Sequence, residues 1–249
     1  GEILEKITDF KNTALVLADE TLLPITLNSL PKNINAINIT MGYPLKDIQV
    51  ANLFSTIFKL HLNQKKFNKE SKLQFYYKDI LSLLNDPYIN RLQGNLVQKL
   101  IGKIKKENRI FLSLENLKID LHNDEIERLE DVFMLFNFSL NMNEIIKKCV
   151  SLLQKLKVTT EGIEKEYLFR FYRVFQQLFT LNTSYNHIGD LKTLILFYEQ
   201  ILNSEKLSFR GEPLRGLQLM GMLESRVLDF KTLILTSVNE GVLPKGKNE

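Results

Sequence analysis

Glu224, Arg226 and Asp229 fall within a short polar segment, Leu223 to Phe230, that also carries Ser225, whose hydroxyl can bond its own backbone in a turn. Before the segment, Leu217 to Met222 alternates apolar with small or polar residues in the manner of a short strand. After it, Thr232 to Val238 is a β-branched and apolar run of the length of a buried strand. Asn239-Glu240-Gly241 then closes a turn, and Pro244 forbids further ladder pairing. A polar segment at the ends of two adjacent buried strands is where open α/β sheets keep their ligands. An ordinary strand, loop and strand with surface charges gives the same pattern.

Other chemistries lack their residues. No Gly-x-x-x-x-Gly-Lys-Ser/Thr loop is present to cradle phosphates, and no strand ends in paired acids that would hold magnesium, so no complete ATP site lies within the chain. His61, His122 and His187 are scattered, without cysteine or carboxylate at metal-ligand spacing, and read as surface or capping residues. No metal site and no cofactor are expected. The acids from Asp120 to Asp131 sit in a helix-start context, where carboxylates help the dipole. Cys149 excludes an internal disulfide and reads as a small buried residue on an amphipathic helix.

The elements that must position the polar segment come from both ends of the chain. Ala14 to Ala18 reads as a short buried strand, Thr21 to Leu30 as a helix capped by Thr21, Ile34 to Thr40 as a second strand, and Met41-Gly42-Tyr43-Pro44 as a turn. Asp47 to Leu62 is a helix with Val50, Phe54, Ile57 and Phe58 along its apolar line. Strands alternating with helices predict a parallel sheet.

From about Asn63 to Asn203 the pattern turns helical: Leu73 to Leu84, stopped by Asn85-Asp86-Pro87, then Gln93 to Lys106, Asn123 to Phe138, Asn143 to Lys157, Thr160 to Leu181 and His187 to Leu202. Ile110 to Leu114 reads as a short strand or extended connector. Lys99, Lys103 and Lys106 line up on one helix face, either as its solvated side or as a phosphate-contacting stripe. Tyr167, Phe169, Phe171, Tyr172, Phe175 and Phe179, interleaved with Arg170 and Arg173, read as a core stripe or as a clamp for a single strand.

At 249 residues, with 44% hydrophobic and 25% charged content, the chain can build a globular core of one large or two modest domains. No apolar run is long enough to cross a bilayer and residues 1–9 lack a secretory pattern, so the expectation is a cytoplasmic protein without a membrane partner. A net charge of +4 permits a nucleic-acid partner without requiring one. Gly1 and the ending Lys247-Asn248-Glu249 read as the cut ends of a longer protein.

On Leu217 to Pro244 the chain resembles motif V of superfamily I helicases of the UvrD type: strand, His-Ser-Ala-Lys-Gly-Leu-Glu-Phe, strand, Glu-Glu-Gly-x-x-Pro. Leu223 stands where that family has His, Arg226 where it has Lys, Val227 where it has Gly, and Asp229 where it has Glu. The region of residues 12–62 resembles motif IV and the strand after it, with Ala18-Asp19-Glu20 in place of the arginine that reaches the γ-phosphate. The Met41 to Leu45 turn resembles the inactivated, nuclease-linked branch, the AddB/RexB-type subunits of helicase-nucleases.

The resemblance implies an α/β fold: a RecA-like (P-loop NTPase-like) parallel-sheet domain, the second motor domain, from residues 1–62 and 204–249, interrupted by a mainly α-helical insertion over 63–203. It implies an ATPase-inactive, DNA-binding module acting in double-strand-break repair and recombination, with single-stranded or duplex DNA and a partner helicase-nuclease subunit as its partners. Gly221, Met222, Ser225 and Arg226 would contact DNA, and Asp19 and Asp229 would mark the degenerate nucleotide site. No catalytic residue is expected within the chain, and a nuclease, if the parent has one, would lie beyond Glu249. Two alternatives remain: a working ATP-dependent helicase completed by a Walker-type domain upstream, and a scaffold that docks a partner helicase subunit without touching DNA.

Overall fold

The computed structural model describes residues 2–34, 36–67, 73–138, 141–208 and 216–239. The chain divides into two compact units, one formed by Gly1–Asp47 with Glu205–Glu249 and one by Ile48–Ser204. Its strands in chain order are β1 (Thr13–Leu17), β2 (Ile37–Ile39), β3 (Gly42–Pro44), β4 (Gln74–Tyr76), β5 (Phe111–Ser113), β6 (Lys206–Ser208), β7 (Leu217–Gly221) and β8 (Thr232–Thr236).

The first unit is an α/β structure on a four-stranded parallel sheet of order β2-β7-β1-β8. Leu15 faces Leu219 on one side and Ile234 on the other, and Leu17 faces Gly221 and Thr236. All five residues of β1 and all five of β7 are buried, as central strands of a parallel sheet must be. Each fully buried Leu or Val contributes about 1.5–3 kcal/mol. On one face Leu15 and Ile234 meet the helices Glu2–Glu5 and Leu23–Asn28 around an apolar cleft of about 490 Å³. On the other, Ala14, Val16 and Met220 form a cluster against which Met222, Phe230 and Leu235 pack.

The alternation in β7 does not mark a wet face. Its one polar side chain, Gln218, is buried and paired across the sheet: Asn38 Nδ2 donates to Gln218 Oε1 at 2.7 Å, and Gln218 Nε2 donates to the Gly216 carbonyl at 3.1 Å. Gly216 itself has φ +72°, and a Cβ there would stand 2.0 Å from the Ala36 carbonyl oxygen, which accepts the Leu217 amide at 3.0 Å. Only glycine fits this start to the strand. The late strand β8 departs from expectation more clearly, because it lies at the outside of the sheet and Leu233 is 57% exposed. Its apolar composition resembles a buried strand, but it has a neighbour on one side only among the described residues.

Further local differences have non-local causes. Met41 to Pro44 contains a strand rather than a turn, since β3 pairs antiparallel with β6: Gly42 faces Ser208, Tyr43 faces Leu207 and Pro44 faces Lys206. A bond from the Leu45 amide to the Glu205 carbonyl, 3.1 Å, continues the ribbon. These two strands precede the boundary at 47/48 and follow that at 204/205. The stretch after β1 is a 3₁₀ turn, Glu20–Leu22, capped by Asp19 rather than Thr21, followed by a short α-helix with Pro24 in its first turn.

The second unit is mainly helical, and the helix Gln49–Phe67, expected within the α/β part, belongs to it. This helix packs with Ile163–Tyr185 and Leu191–Ser204, and Ile163–Tyr185 packs in turn with Met142–Val158. Phe54, Phe58, Phe171, Phe175 and Tyr198 make the core, with ring centroids 4.5–6.5 Å apart and the Tyr198 hydroxyl donating to the Ala51 carbonyl at 3.4 Å. The expected helix from Leu73 instead opens with β4, paired antiparallel with β5, before Tyr77–Leu84. Asp86 then caps Pro87–Glu107 by accepting the Tyr88 amide at 2.8 Å. The expected helix Asn123 to Phe138 is broken into Asn123–Arg128, Glu130–Phe133 and a 3₁₀ turn, Met134–Phe136. No helix among the described residues is long and apolar enough to cross a membrane.

Candidate functional site at the C-terminal rim of the sheet

In a parallel sheet the C-terminal ends of the strands share one rim, and here that rim gathers Ala18 to Glu20 after β1 and Gly221 to Arg226 after β7. β1 and β7 are neighbours, with Leu17 opposite Gly221, so segments two hundred residues apart in sequence meet. Asp19 turns inward on its own chain: its carboxylate accepts the Thr21 hydroxyl at 2.6 Å and the Thr21 amide at 3.0 Å. The hydroxyl bond, then the amide bond, hold this carboxyl below its usual range.

The next residue supplies a feature that sequence reading missed. Glu20 Oε1 and Glu224 Oε2 each stand 2.6 Å from the point that a Cβ at residue 221 would occupy. Two carboxylates therefore converge over Gly221. Like charges around that point repel an anion rather than cradle it. Glu224 belongs to the polar segment and Glu20 to Ala18-Asp19-Glu20, but their convergence is not legible in the sequence, because only the pairing of β1 with β7 brings them together.

The remaining expected residues are not assembled into one site. Met222 is half-buried against the cluster of Ala14, Val16 and Met220, which makes it a packing residue. Ser225 Oγ donates to the Met222 carbonyl at 2.9 Å, closing the turn that the sequence pattern anticipates. Arg226 is exposed at the end of the 3₁₀ turn Glu224–Val227 and makes no ion pair among the described residues. Asp229 is exposed in the segment that returns to the start of β8. No hydrogen bond or ion pair joins it to Asp19 or Arg226 among the described residues, and two residues on, Lys231 lies 3.8 Å from Asp9 at the N-terminal rim. At the end of β8, Ser237 takes φ +56°, a strained conformation for a residue with a side chain. Of the closing turn, Asn239 donates its amide to the Ser237 carbonyl at 2.9 Å, while Glu240, Gly241 and Pro244 lie outside the described residues.

The helical unit reassigns several other candidates. The lysine stripe is in part the solvated face expected of it, with Lys99 and Lys106 exposed and Lys103 half-buried. Lys99 pairs with Glu125 at 2.6 Å, and Lys103 donates to the carbonyls of Asn116, at 3.0 Å, and Ile119, pinning the following segment to its helix. Of the acids from Asp120 to Asp131, Asp124 and Glu125 stand in the first turn of Asn123–Arg128 and Glu130 and Asp131 in that of Glu130–Phe133, as expected, and Asp131 is also held by Lys155 at 2.9 Å. Phe171 and Phe175 are core, whereas Phe169 is exposed. Cys149 is buried and its thiol is pushed well above the usual range by burial.

His61 is a correction. It is neither a surface nor a capping residue but is buried, stacked on Phe138 at 3.9 Å between centroids and met edge-on by Phe75. Its Nε2 lies 2.6 Å from the Leu135 carbonyl oxygen, an acceptor, which places the ring proton on Nε2. Burial lowers its pKa to about 4, with the charges of Lys148 and Lys65 acting in the same direction and the Leu135 bond opposing. His187 stacks on Tyr185 at the surface, and His122 begins the helix Asn123–Arg128 with its amide donating to Glu125. Among the described residues no group of three or more histidine, cysteine or acidic side chains is placed to hold a metal ion.

Among the described residues, the rim offers polar contacts from the exposed Arg226 guanidinium and from the two carboxylates that converge over Gly221. Comparison with protein-family models and with curated proteins finds no match for this chain.

Proposed function

We propose that the chain is an ATPase-inactive, helicase-like DNA-binding module, a RecA-like second motor domain with a helical insertion, from a cytoplasmic helicase-nuclease subunit of the AddB type that acts in double-strand-break repair. The observation that carries the ATPase-inactive part of this reading is the pair of carboxylates over Gly221, at the rim of a parallel sheet that both ends of the chain build together, while the DNA-binding part rests on the likeness of Leu217 to Pro244 to motif V and on the exposed Arg226. Motor domains need cations there to meet transferring phosphates. A rim held by Asp19, Glu20 and Glu224 against Arg226 alone suits a domain that keeps the motor layout without the fuel chemistry, and it opposes the reading as a working helicase.

The test is twofold. The chain should bind a labelled oligothymidylate with an affinity that falls as salt rises, and should show no DNA-stimulated ATP hydrolysis above background. Hydrolysis that Glu20→Gln leaves intact and that needs no added subunit would overturn the inactive assignment. Absence of salt-dependent binding at low ionic strength would overturn the DNA-binding assignment. The same acidity favours a second reading, a scaffold that docks a partner helicase subunit, because Arg226 is the sole cation in the rim segments Ala18 to Glu20 and Gly221 to Arg226. Binding of a partner subunit without any affinity for DNA would select it.

A further inference from the structure

The sequence run from Tyr167 to Phe179 mixes aromatic and basic residues, and the structure sorts them onto two faces of the helix Ile163–Tyr185. Phe171 and Phe175 point into the core and are fully buried. Phe169 and Tyr172 instead line a cleft of about 310 Å³ shared with Leu153, Gln154 and Lys157 of the helix Met142–Val158 and floored by Leu168. Leu153 and Leu168 are each 1% exposed, while Phe169 is 44% exposed. The cleft thus has a dry apolar floor, aromatic walls and a polar mouth.

Charge around that mouth is one-sided. Lys165 and Arg173 stand one turn before and one turn after Phe169 on the same exposed helix face, and neither makes an ion pair among the described residues. The neighbouring acids are neutralised elsewhere: Glu164 by the Arg91 guanidinium, Glu166 by Arg170 at 3.1 Å, and Asp131 by Lys155 at 2.9 Å. Of the acids between Lys157 and Arg173, which are Glu161, Glu164 and Glu166, only Glu161 makes no ion pair among the described residues.

We propose that this cleft binds one unstacked base of a single-stranded nucleic acid, between Phe169 and Tyr172, with Lys157, Lys165 and Arg173 meeting the flanking phosphates. The inference rests on the reading of the chain as a nucleic-acid-binding module and places that contact within the helical unit. Aromatic faces accept any base, and lysines and arginines track a backbone without reading sequence, so binding here is sequence-tolerant. Gln154 lines the cleft with a side-chain amide that both donates and accepts, as bonding a base edge requires.

The whole chain is titrated with a fluorescein-labelled oligothymidylate at low salt, alongside Phe169→Ala, Tyr172→Ala, Lys157→Ala and Arg226→Ala variants checked for unchanged melting. The chain has no tryptophan, so quenching of its tyrosine emission by a stacked base is readable directly. The expected result is a loss of about 5- to 150-fold in affinity for each aromatic variant. Lys157→Ala should flatten the salt dependence by about one unit of slope. An oligonucleotide bearing 5-iododeoxyuridine should photocrosslink to Phe169 or Tyr172. Wild-type affinity in both aromatic variants, with loss confined to Arg226→Ala, overturns the cleft while leaving the DNA-binding reading intact. No binding by the unaltered chain overturns both. A self-association in sedimentation that Phe169→Ala abolishes, with DNA affinity unchanged, makes a second copy the occupant and overturns the proposal.

Discussion

Protonating His61 should destabilise the helical unit by an amount that its surroundings define. The ring donates from Nε2 to the Leu135 carbonyl, stacks on Phe138 and is met edge-on by Phe75, so an imidazolium buried there would lose its hydration. Its pKa falls from 6.5 in the unfolded chain to about 4 in the folded one. Between those values the unfolded state binds more protons, so stability is complete above about pH 6.5 and is lost as pH falls toward 4, where the folded form also protonates and the loss levels off. A shift of this size corresponds to about 3 kcal/mol in all, of which about 2 kcal/mol is already lost by pH 5. The assay is urea unfolding followed by far-UV ellipticity at pH 7.5 and pH 5.0, for the wild type and for His61→Gln, whose amide can still donate to Leu135. Other titrating groups contribute equally to both proteins. The wild type should therefore lose about 2 kcal/mol more than the variant between the two pH values, although the variant starts lower. Parallel losses in the two proteins would refute the assignment of that pH dependence to the buried imidazole.

Two further outcomes test the sheet. Gly216→Ala forces a side chain into a left-handed conformation and against the Ala36 carbonyl, and should cost upwards of about 3 kcal/mol, read as a fall of roughly 12–24 °C in the melting of the α/β unit. Gln218→Leu strands the buried Asn38 amide and should cost about 1–3 kcal/mol. The Asn38→Leu/Gln218→Leu double variant should be milder than the sum of its parts, as a double-mutant cycle on urea midpoints would register.

Local pattern served where local forces decide. Val50, Phe54, Ile57 and Phe58 form the buried line of their helix, and the apolar run at Thr13–Leu17 is a central strand. It failed where the partner is distant. Gly42–Pro44 reads as a turn because nothing nearby reveals Lys206–Ser208, and Gln74–Tyr76 reads as helix because its pairing with Phe111–Ser113 is invisible to a short window. β8 has the composition of an interior strand but an exterior place, which only the strand order discloses. At the candidate site, the bond of Ser225 to its own turn was legible, since it is made within four residues. The convergence of Glu20 with Glu224 was not, and it reverses the electrostatic character that Arg226 alone would imply. His61 was misplaced for a related reason, since Leu135 and Phe138 come from another part of the helical unit.

The strand order carries a consequence for how the molecule is made. β1 lies in the middle of its sheet, yet both of its partners, β7 and β8, are translated after the whole insertion, and β1 and β2 do not pair with each other. At ordinary synthesis rates of about 5–20 residues per second, β1 waits some ten seconds or more on the ribosome with both flanks bare. During that interval the helical unit, whose residues are consecutive, can complete itself. The hydrophobic strand Thr13–Leu17 is then the nascent chain's most vulnerable segment, a place for a chaperone to hold until residues 217–236 emerge and slot in on either side.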